Sequence, residues 1–108
     1  MKEIKAVIRP NKLTALREAL IVLPEFPGMT VSRVEGCSAP IRHVTHHSIK
    51  EELTDFSPKI RIEIIAPDEA VPAIYGAISK VAQTGHFGDG LVWVCDVEKA
   101  TFIFKTVE

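Results

Sequence analysis

Several features that mark particular classes of protein are scarce or missing in this sequence of 108 residues. Its two cysteines, Cys37 and Cys95, form no Cys-x-x-Cys pair, which predicts two ordinary reduced thiols. No apolar run approaches the roughly 18 residues of a membrane span, and no apolar segment follows the charged N-terminus as in a signal peptide. The net charge of −1 gives no general attraction to nucleic acid or acidic membranes. These absences predict a cytoplasmic protein that neither inserts into membranes nor binds nucleic acid.

What the sequence does contain is the composition of one globular domain, expected to span residues 1–108. Apolar residues alternate with polar ones, as in half-buried strands, over Lys2–Arg9, Met29–Gly36 and Lys59–Ala66. Leu91–Val97 and Thr101–Thr106 are predicted to form two last strands. Apolar residues recur at three- and four-residue spacing, as on one helix face, at Leu13, Leu16, Leu20 and Leu23 and again at Val71, Ile74, Ile78 and Val81. Asn11 and Asp68 precede these two sets and are expected to cap the helices.

The order of these elements is strand, helix, strand, a long loop, then strand, helix, strand and a terminal strand. Two βαβ halves of this size predict an α+β fold, a ferredoxin-like split βαβ sandwich with both helices on one face of the sheet. The other sheet face is also apolar in places. An uncovered apolar face in a small domain usually contacts a partner, so we expect oligomerisation.

A polar segment rich in His, Glu and Ser, at about residues 37–58, separates the two halves. Pro40 interrupts it, and Ile49–Phe56 is compatible with either a short helix or an edge strand. A run of some 20 residues without clear periodicity is uncommon inside a compact domain and usually carries function. We therefore expect this loop to take part in binding.

Three separated runs have a recognisable composition: Pro27–Val31, Pro58–Ile64, and Ala82–Gly85 followed by Gly88–Gly90. Together with their spacing, they give a likeness that extends over the whole chain except the long loop. In content and spacing they resemble the second strand, the strand after the T-loop and the second nucleotide loop of the PII (nitrogen regulatory P-II) family. The long loop then corresponds to the T-loop. The resemblance implies the ferredoxin-like fold and a homotrimer whose T-loops contact target transporters, enzymes or regulators.

The resemblance also implies that adenine nucleotides bind in the clefts between subunits. The positions of this chain that match the family's nucleotide-binding positions are Ile8, Thr30, Gly36, Glu63, Ile65, Gly88, Asp89 and Gly90. The glycines allow backbone N–H groups to approach phosphate oxygens, and Asp89 is expected to hold their loop. Without the resemblance, the sequence favours a purely structural role for these residues, as strand core, a solvated strand face and turn glycines.

Three positions depart from the family pattern in one direction, by losing a cation. Leu91 stands where a Lys usually follows Gly-Asp-Gly, and Phe102 and Phe104 stand where the family has Arg-x-Arg. The usual Gln is also missing, since Cys37–Pro40 follows Gly36. A triphosphate needs several cations and donors to offset its desolvation. We therefore expect AMP or ADP rather than ATP, with His86 and Lys105 as the nearby cationic candidates.

Three histidines, His43, His46 and His47, lie within five residues of the long loop. Imidazole suits zinc, copper, nickel and cobalt, and His43 and His47 would share one face if this segment were helical. With Cys37 they form a candidate transition-metal site; the alternative is a solvated polar loop. The runs Glu25–Thr30 and Val92–Val94 resemble a branch of PII-like proteins associated with heavy-metal efflux transporters.

The sequence therefore predicts a regulatory protein without catalytic residues, which senses a transition metal or an adenine nucleotide and controls a partner such as a membrane transporter. One alternative is an AMP or ADP sensor with no metal role. Another is a slow nucleotide-hydrolysing enzyme, for which Glu63, Asp89 or His86 would have to be the base. The chain contains no Gly-x-Ser-x-Gly, P-loop or His-Glu-x-x-His motif in support of catalysis. A trimer that binds no ligand is the remaining possibility.

Overall fold

A computed structural model describes residues 1–37 and 56–106 of the protein. These residues form four strands and two α-helices, and short 3₁₀ turns lie at Pro10–Lys12, Asp68–Ala70 and Ile103–Thr106. In chain order the main elements are β1 (Lys2–Ile8), α1 (Leu13–Ile21), β2 (Thr30–Gly36), β3 (Ser57–Ala66), α2 (Val71–Ala82) and β4 (Gly90–Asp96).

The four strands form one antiparallel sheet in the order β2-β3-β1-β4. The central strands β1 and β3 each begin a βα unit, and the strand that follows each helix lies at one edge of the sheet. This is the ferredoxin-like split βαβ arrangement, and it confirms the predicted fold class.

The core lies between the two helices and one face of the sheet. Because strand side chains alternate between faces, β1 and β3 each present every second residue to the helices. The helices contribute residues at the predicted three- and four-residue spacing. The fully buried large side chains are Ile4, Ile8, Leu16, Leu20, Ile60, Ile62, Ile64, Ile74 and Ile78.

The opposite, open face of the sheet mixes apolar and charged side chains. Along β1 it carries Glu3, Lys5 and Val7, which pair with Cys95, Trp93 and Leu91 of β4. The Lys5 ammonium and the Glu3 carboxylate lie 3.5 Å apart and form a half-buried ion pair. Within residues 1–37 and 56–106, neither helix covers this face, since both pack on the other side.

Two local predictions were wrong. Neither Asn11 nor Asp68 caps a helix with its side chain; each lies inside a 3₁₀ turn that precedes its helix, and the Asp68 carboxylate instead binds the N-terminal amine of Met1 at 3.0 Å. The predicted last strand contains a 3₁₀ helix at Ile103–Thr106. A strand needs a partner backbone, and no described strand pairs with this segment, whereas a 3₁₀ turn forms its hydrogen bonds locally.

The two ends of the predicted T-loop meet at the sheet. Gly36 pairs with Ser57 and Glu35 pairs with Pro58, so β3 includes the last two residues that the prediction gave to the loop. Residues 38–55, including most of the segment predicted as a short helix or edge strand, lie outside the described residues. In the part of the chain that is described, no helix is long and apolar enough to cross a membrane.

Candidate functional site

The fold divides the predicted nucleotide-binding residues into two groups. Ile8, Gly36, Gly88, Asp89 and Gly90, the glycine-loop group, lie at the end of the sheet where β1 and β2 end. Thr30, Glu63 and Ile65, the strand-face group, lie toward its other end, and Thr30 pairs directly with Glu63. From Thr30 to Gly36 is six residues of β2, or about 20 Å at the rise of an extended strand.

The glycine loop is organised around the carboxylate of Asp89. Its oxygens accept hydrogen bonds from the backbone N–H groups of Thr84 (2.7 Å) and Gly85 (3.0 Å) and from the Thr84 hydroxyl. The Nε of Arg9 donates to the same carboxylate at 3.2 Å. The hydrogen bonds from Thr84, with those from Arg9 and Gly85, hold the pKa of Asp89 far below its usual range. Asp89 thus holds the loop, as the sequence predicted, and is a stable anion at neutral pH.

Gly90 is fixed by a close approach between strands. It pairs with Ile8 at the start of β4, with φ of +101°. A Cβ at this position would lie 1.7 Å from the carbonyl oxygen of Val7. Glycine is therefore required by the backbone at position 90, whether or not a ligand binds.

Two cations beside this loop, Arg9 and Lys59, were missed by the sequence reasoning. The Nη2 of Arg9 donates to the carbonyl of Phe87 at 2.8 Å, and the Nζ of Lys59 donates to the carbonyl of Gly88 at 2.5 Å. Lys59 is only 8 % exposed, and its burial, with the nearby charge of Arg9, lowers the pKa of its ammonium. A Cβ on Gly36 would lie 3.1 Å from Lys59 Cγ, so Lys59 spans from the base of the long loop to the glycine loop.

The sequence carried only a weak signal for these two cations. Arg9 and Lys59 each lie one residue beyond the last β1–β3 pair, Ile8 with Ile60, and only the register of the sheet brings them together. Of the two cations proposed from sequence, His86 is part of the loop, and its backbone N–H donates to the Thr84 hydroxyl at 3.3 Å. The side chain of Lys105 lies outside what the structure describes.

The strand-face group lines an open depression of about 500 Å³. Phe102 lies against it, and its ring centroid is 6.5 Å from that of Phe104. The Glu63 carboxylate is 3.7 Å from Arg61 Nε, a pair at the solvated surface. The full lining is Glu3, Pro27, Gly28, Met29, Thr30, Glu63, Ile65 and Phe102. A carboxylate, a hydroxyl and apolar walls suit a flat, partly polar group better than a polyphosphate.

Part of the glycine-loop group lines a second, smaller depression of about 270 Å³. Ile8, Asp89 and Gly90 contribute to it, and Leu91 forms part of its rim. Its other walls come from α2 and β4 and are mostly apolar. The residues assigned to one ligand therefore line two separate depressions of a single chain.

The predicted metal site falls mainly outside the described residues. Cys37 is exposed directly after β2, and His43, His46 and His47 lie within residues 38–55. Within residues 1–37 and 56–106, no group of three or more His, Cys, Asp or Glu side chains is placed to hold a metal ion. The histidine site stays a prediction.

A split βαβ sandwich with a glycine loop before its last strand and a long insertion between β2 and β3 defines the class: a small ferredoxin-like α+β binding domain. The model of the Nitrogen regulatory protein P-II family matches residues 1–106. The chain belongs to the P-II family, which confirms the resemblance found in the sequence. It is therefore a PII-like regulatory signalling protein.

Individual relatives agree with the family assignment. The chain is 41 % identical to nitrogen regulatory protein P-II 1 of Escherichia coli (strain K12) over 99 residues, 92 % of this chain and 88 % of the relative. It is 40 % identical to nitrogen regulatory protein P-II of Haemophilus influenzae over 100 residues, 93 % and 88 % of the two chains. Family members are regulatory proteins, form trimers and bind target proteins.

Proposed function

We propose that this protein is a cytoplasmic homotrimeric sensor of a small ligand, which controls a partner protein such as a membrane transporter through its T-loop, at about residues 37–58. The family assignment supports the regulatory role. The ligand is an adenine nucleotide or a transition metal, and the arguments for each come from different parts of the chain.

The observation that carries the nucleotide proposal is the division of the predicted site into two groups that lie toward opposite ends of the sheet. Neither group encloses a ligand on one chain, because both depressions are open. In a homotrimer, the glycine-loop group of one copy faces the strand-face group of the next, and the two together form one cleft. The strand-face group would then hold the base and ribose, and the glycine loop the phosphate.

The charges at the glycine loop favour AMP or ADP over ATP. Arg9 is already bound to Asp89, and Lys59 is bound to the Gly88 carbonyl, so both are partly neutralised or satisfied before a ligand arrives. Leu91 and the two phenylalanines at 102 and 104 add no charge. A triphosphate would therefore lose its hydration without gaining enough charge-assisted hydrogen bonds, each worth roughly 1.5–3 kcal/mol.

The metal proposal rests on the loop itself. His43, His46, His47 and Cys37 would bind Zn²⁺, Cu²⁺, Ni²⁺ or Co²⁺, and binding would change the order of the T-loop and hence its affinity for the partner. Cys37 directly follows the end of β2, next to the Gly36–Ser57 pair. A metal bound there would lie close to Lys59, which links the loop base to the glycine loop.

Nucleotide hydrolysis is a weaker proposal on this geometry. Asp89 accepts four hydrogen bonds and its pKa is strongly lowered, so it is a poor proton acceptor at neutral pH. Glu63 belongs to the strand-face group, away from the phosphate end of the proposed cleft. Binding without turnover is therefore the favoured function.

A thermal-shift panel tests these proposals. AMP, ADP, ATP and the four divalent metals are added to the natural protein, to Glu63→Gln, and to the triple variant His43→Ala, His46→Ala, His47→Ala. A ligand at 100 times its Kd stabilises the folded state by about 2.7 kcal/mol. We expect AMP and ADP to raise the Tm more than ATP, and Glu63→Gln to weaken that shift.

The variants separate the two ligands. A metal shift that disappears in the triple histidine variant supports the loop site, whereas an equal shift in both proteins rules it out. A nucleotide shift that is as large for ATP as for ADP would contradict the charge argument. Steady release of inorganic phosphate from ATP would instead support the slow nucleotide-hydrolysing enzyme.

A further inference from the structure

An open depression of about 190 Å³ lies on the helix side of the sheet, where α1 ends and α2 begins. Its apolar walls come from Leu23, Pro24, Phe26, Ala70, Ala73 and Ile74. Two glutamates complete the lining: Glu25 in the connection after α1, and Glu69 in the turn before α2. None of these residues belongs to the predicted nucleotide or metal sites.

The carboxylates of Glu25 and Glu69 have no cationic partner in residues 1–37 and 56–106. Asp68, the residue before Glu69, is instead paired with the N-terminal amine of Met1. Glu69 gains from the positive N-terminal end of α2, but Glu25 follows the C-terminal end of α1, where negative charge is disfavoured. The last turn of α1 supplies no basic residue to offset it. This corner of the fold therefore combines unpaired negative charge with apolar walls.

The surface continues past Phe26 into a second depression of about 400 Å³, since Phe26 lines both. Ile21 lines the second depression and is 55 % exposed, and the neighbouring Val22 is 74 % exposed. Arg17 also belongs to this second lining, and its charge repels another cation. The first depression therefore suits a basic group, whereas the second suits apolar side chains.

We propose that the lining of these two depressions, the helix-end surface, binds a segment of a partner protein in which a Lys or Arg stands beside apolar residues. The basic group lies between Glu25 and Glu69, with its aliphatic stem against the apolar walls. The apolar side chains of the segment cover Ile21 and Phe26. The proposal rests on the proposed regulatory function and adds a second contact surface to the T-loop.

The shape of the helix-end surface favours a protein segment over a small molecule. The depression between the two glutamates, about 190 Å³, is smaller than the roughly 300–1,000 Å³ of pockets that enclose small ligands. The second depression and the exposed side chains of Ile21 and Val22 extend the surface without enclosing it. Covering the whole surface takes several side chains on one backbone.

The helix-end surface lies at the other end of the sheet from the base of the T-loop. β3 runs from Ser57, which pairs with Gly36 at the loop base, to Ala66, just before the turn that carries Glu69. These nine steps along the strand span about 30 Å. A partner bound at the helix end stays bound while the T-loop changes, and the second contact raises its effective concentration at the loop.

Peptide display tests the helix-end surface directly. A library of random peptides on phage is first depleted on Ala73→Trp, whose indole would fill the smaller depression, and is then selected on the natural protein. We expect the enriched peptides to carry Lys or Arg next to Leu, Ile or Phe. Fluorescence anisotropy with synthetic copies then measures affinity. The double variant Glu25→Gln, Glu69→Gln should bind about tenfold more weakly, and added salt should weaken binding to the natural protein.

Ala15→Trp and Glu98→Gln are the matched controls, at exposed positions outside both depressions, and should bind the peptides like the natural protein. An empty selection, peptides without a basic residue, or equal affinity for the double glutamate variant would overturn the proposal. Tighter binding of 4-phenylbutylamine than of the peptides would overturn it in favour of a small organic cation. The nucleotide and metal shifts, measured on the same variants, show separately whether the sensor proposal stands.

Discussion

At the scale of single residues, Asp89 has the largest number of described contacts at the site. Four donors from Arg9, Thr84 and Gly85 converge on its carboxylate. They come from the end of β1 and from the loop before β4, so one side chain joins two segments that are 80 residues apart. Protonating Asp89 would therefore lower the stability of the fold as well as disturb the site.

Asp89→Asn is expected to reduce stability at neutral pH and to make stability less dependent on acid pH. A carboxyl with a lowered folded-state pKa contributes stability that is present above its ordinary pKa of 3.8 and is lost as the pH falls toward the folded value. The difference between natural protein and variant should therefore be largest above about pH 5 and shrink toward pH 2. Urea unfolding midpoints across this range measure it.

Asp96→Asn is the control for this prediction, since that carboxylate is 89 % exposed and binds Lys2 at the surface. Exposed ion pairs contribute little to stability. Equal midpoints for the two variants at every pH would show that the Asp89 network does not stabilise the loop.

At the scale of elements, the backbones of β4 and β1 approach each other so closely at Gly90 that no side chain fits there. Gly90 opens β4 opposite Ile8, and its backbone lies against the carbonyl of Val7. This approach sets the register that places Asp89 beside Arg9. The position of the glycine loop thus depends on one strand pair.

Gly90→Ala is expected to destabilise the protein by roughly 3 kcal/mol or more, because a Cβ would clash with the Val7 backbone and because φ is +101°. Gly76→Ala is the matched control: Gly76 lies in α2 with no atom within 4 Å of a Cβ. That variant should gain about 0.5–1 kcal/mol from helix propensity. Thermal unfolding should show a lower Tm for Gly90→Ala and a higher Tm for Gly76→Ala. An unchanged Tm in Gly90→Ala would contradict the close approach.

At the scale of the whole molecule, the proposed homotrimer would let the two groups of site residues on different copies complete each other. One chain offers a glycine loop with two engaged cations at one end of its sheet and a carboxylate-lined depression toward the other. A ring of identical chains joins the two kinds of surface as many times as there are copies. Ligand binding would then stabilise the assembled ring, and assembly would raise the affinity for the ligand.

Mixed trimers test this sharing. Lys59→Gln alters the glycine-loop side of the proposed cleft and Glu63→Gln alters its strand-face side. Each variant alone should bind AMP weakly in every cleft, whereas an equimolar mixture, dissociated and reassembled, should recover natural affinity in about a quarter of its clefts. Isothermal titration calorimetry counts those sites. A mixture that binds no better than its components would place the whole site within one chain.

Much of the fold follows from short-range patterns in the sequence. Alternation at Ile60, Ile62 and Ile64 and helical spacing at Leu16 and Leu20 placed these residues in the core, because which face a side chain occupies is set by the local period of its own element. The family signature is also local, since glycine and proline mark turns wherever they occur. Both strand–helix–strand halves could therefore be derived before any contact was known.

The tertiary structure alone decided the rest. Arg9 and Lys59 lie 50 residues apart in the chain, and only the antiparallel register of β1 and β3 brings both to the glycine loop. The same holds for residues 101–106, where the sequence predicted a strand but no described strand pairs with the segment. A local pattern determines what a segment can form; a contact between distant segments depends on the register and packing of the whole sheet, which no single segment encodes.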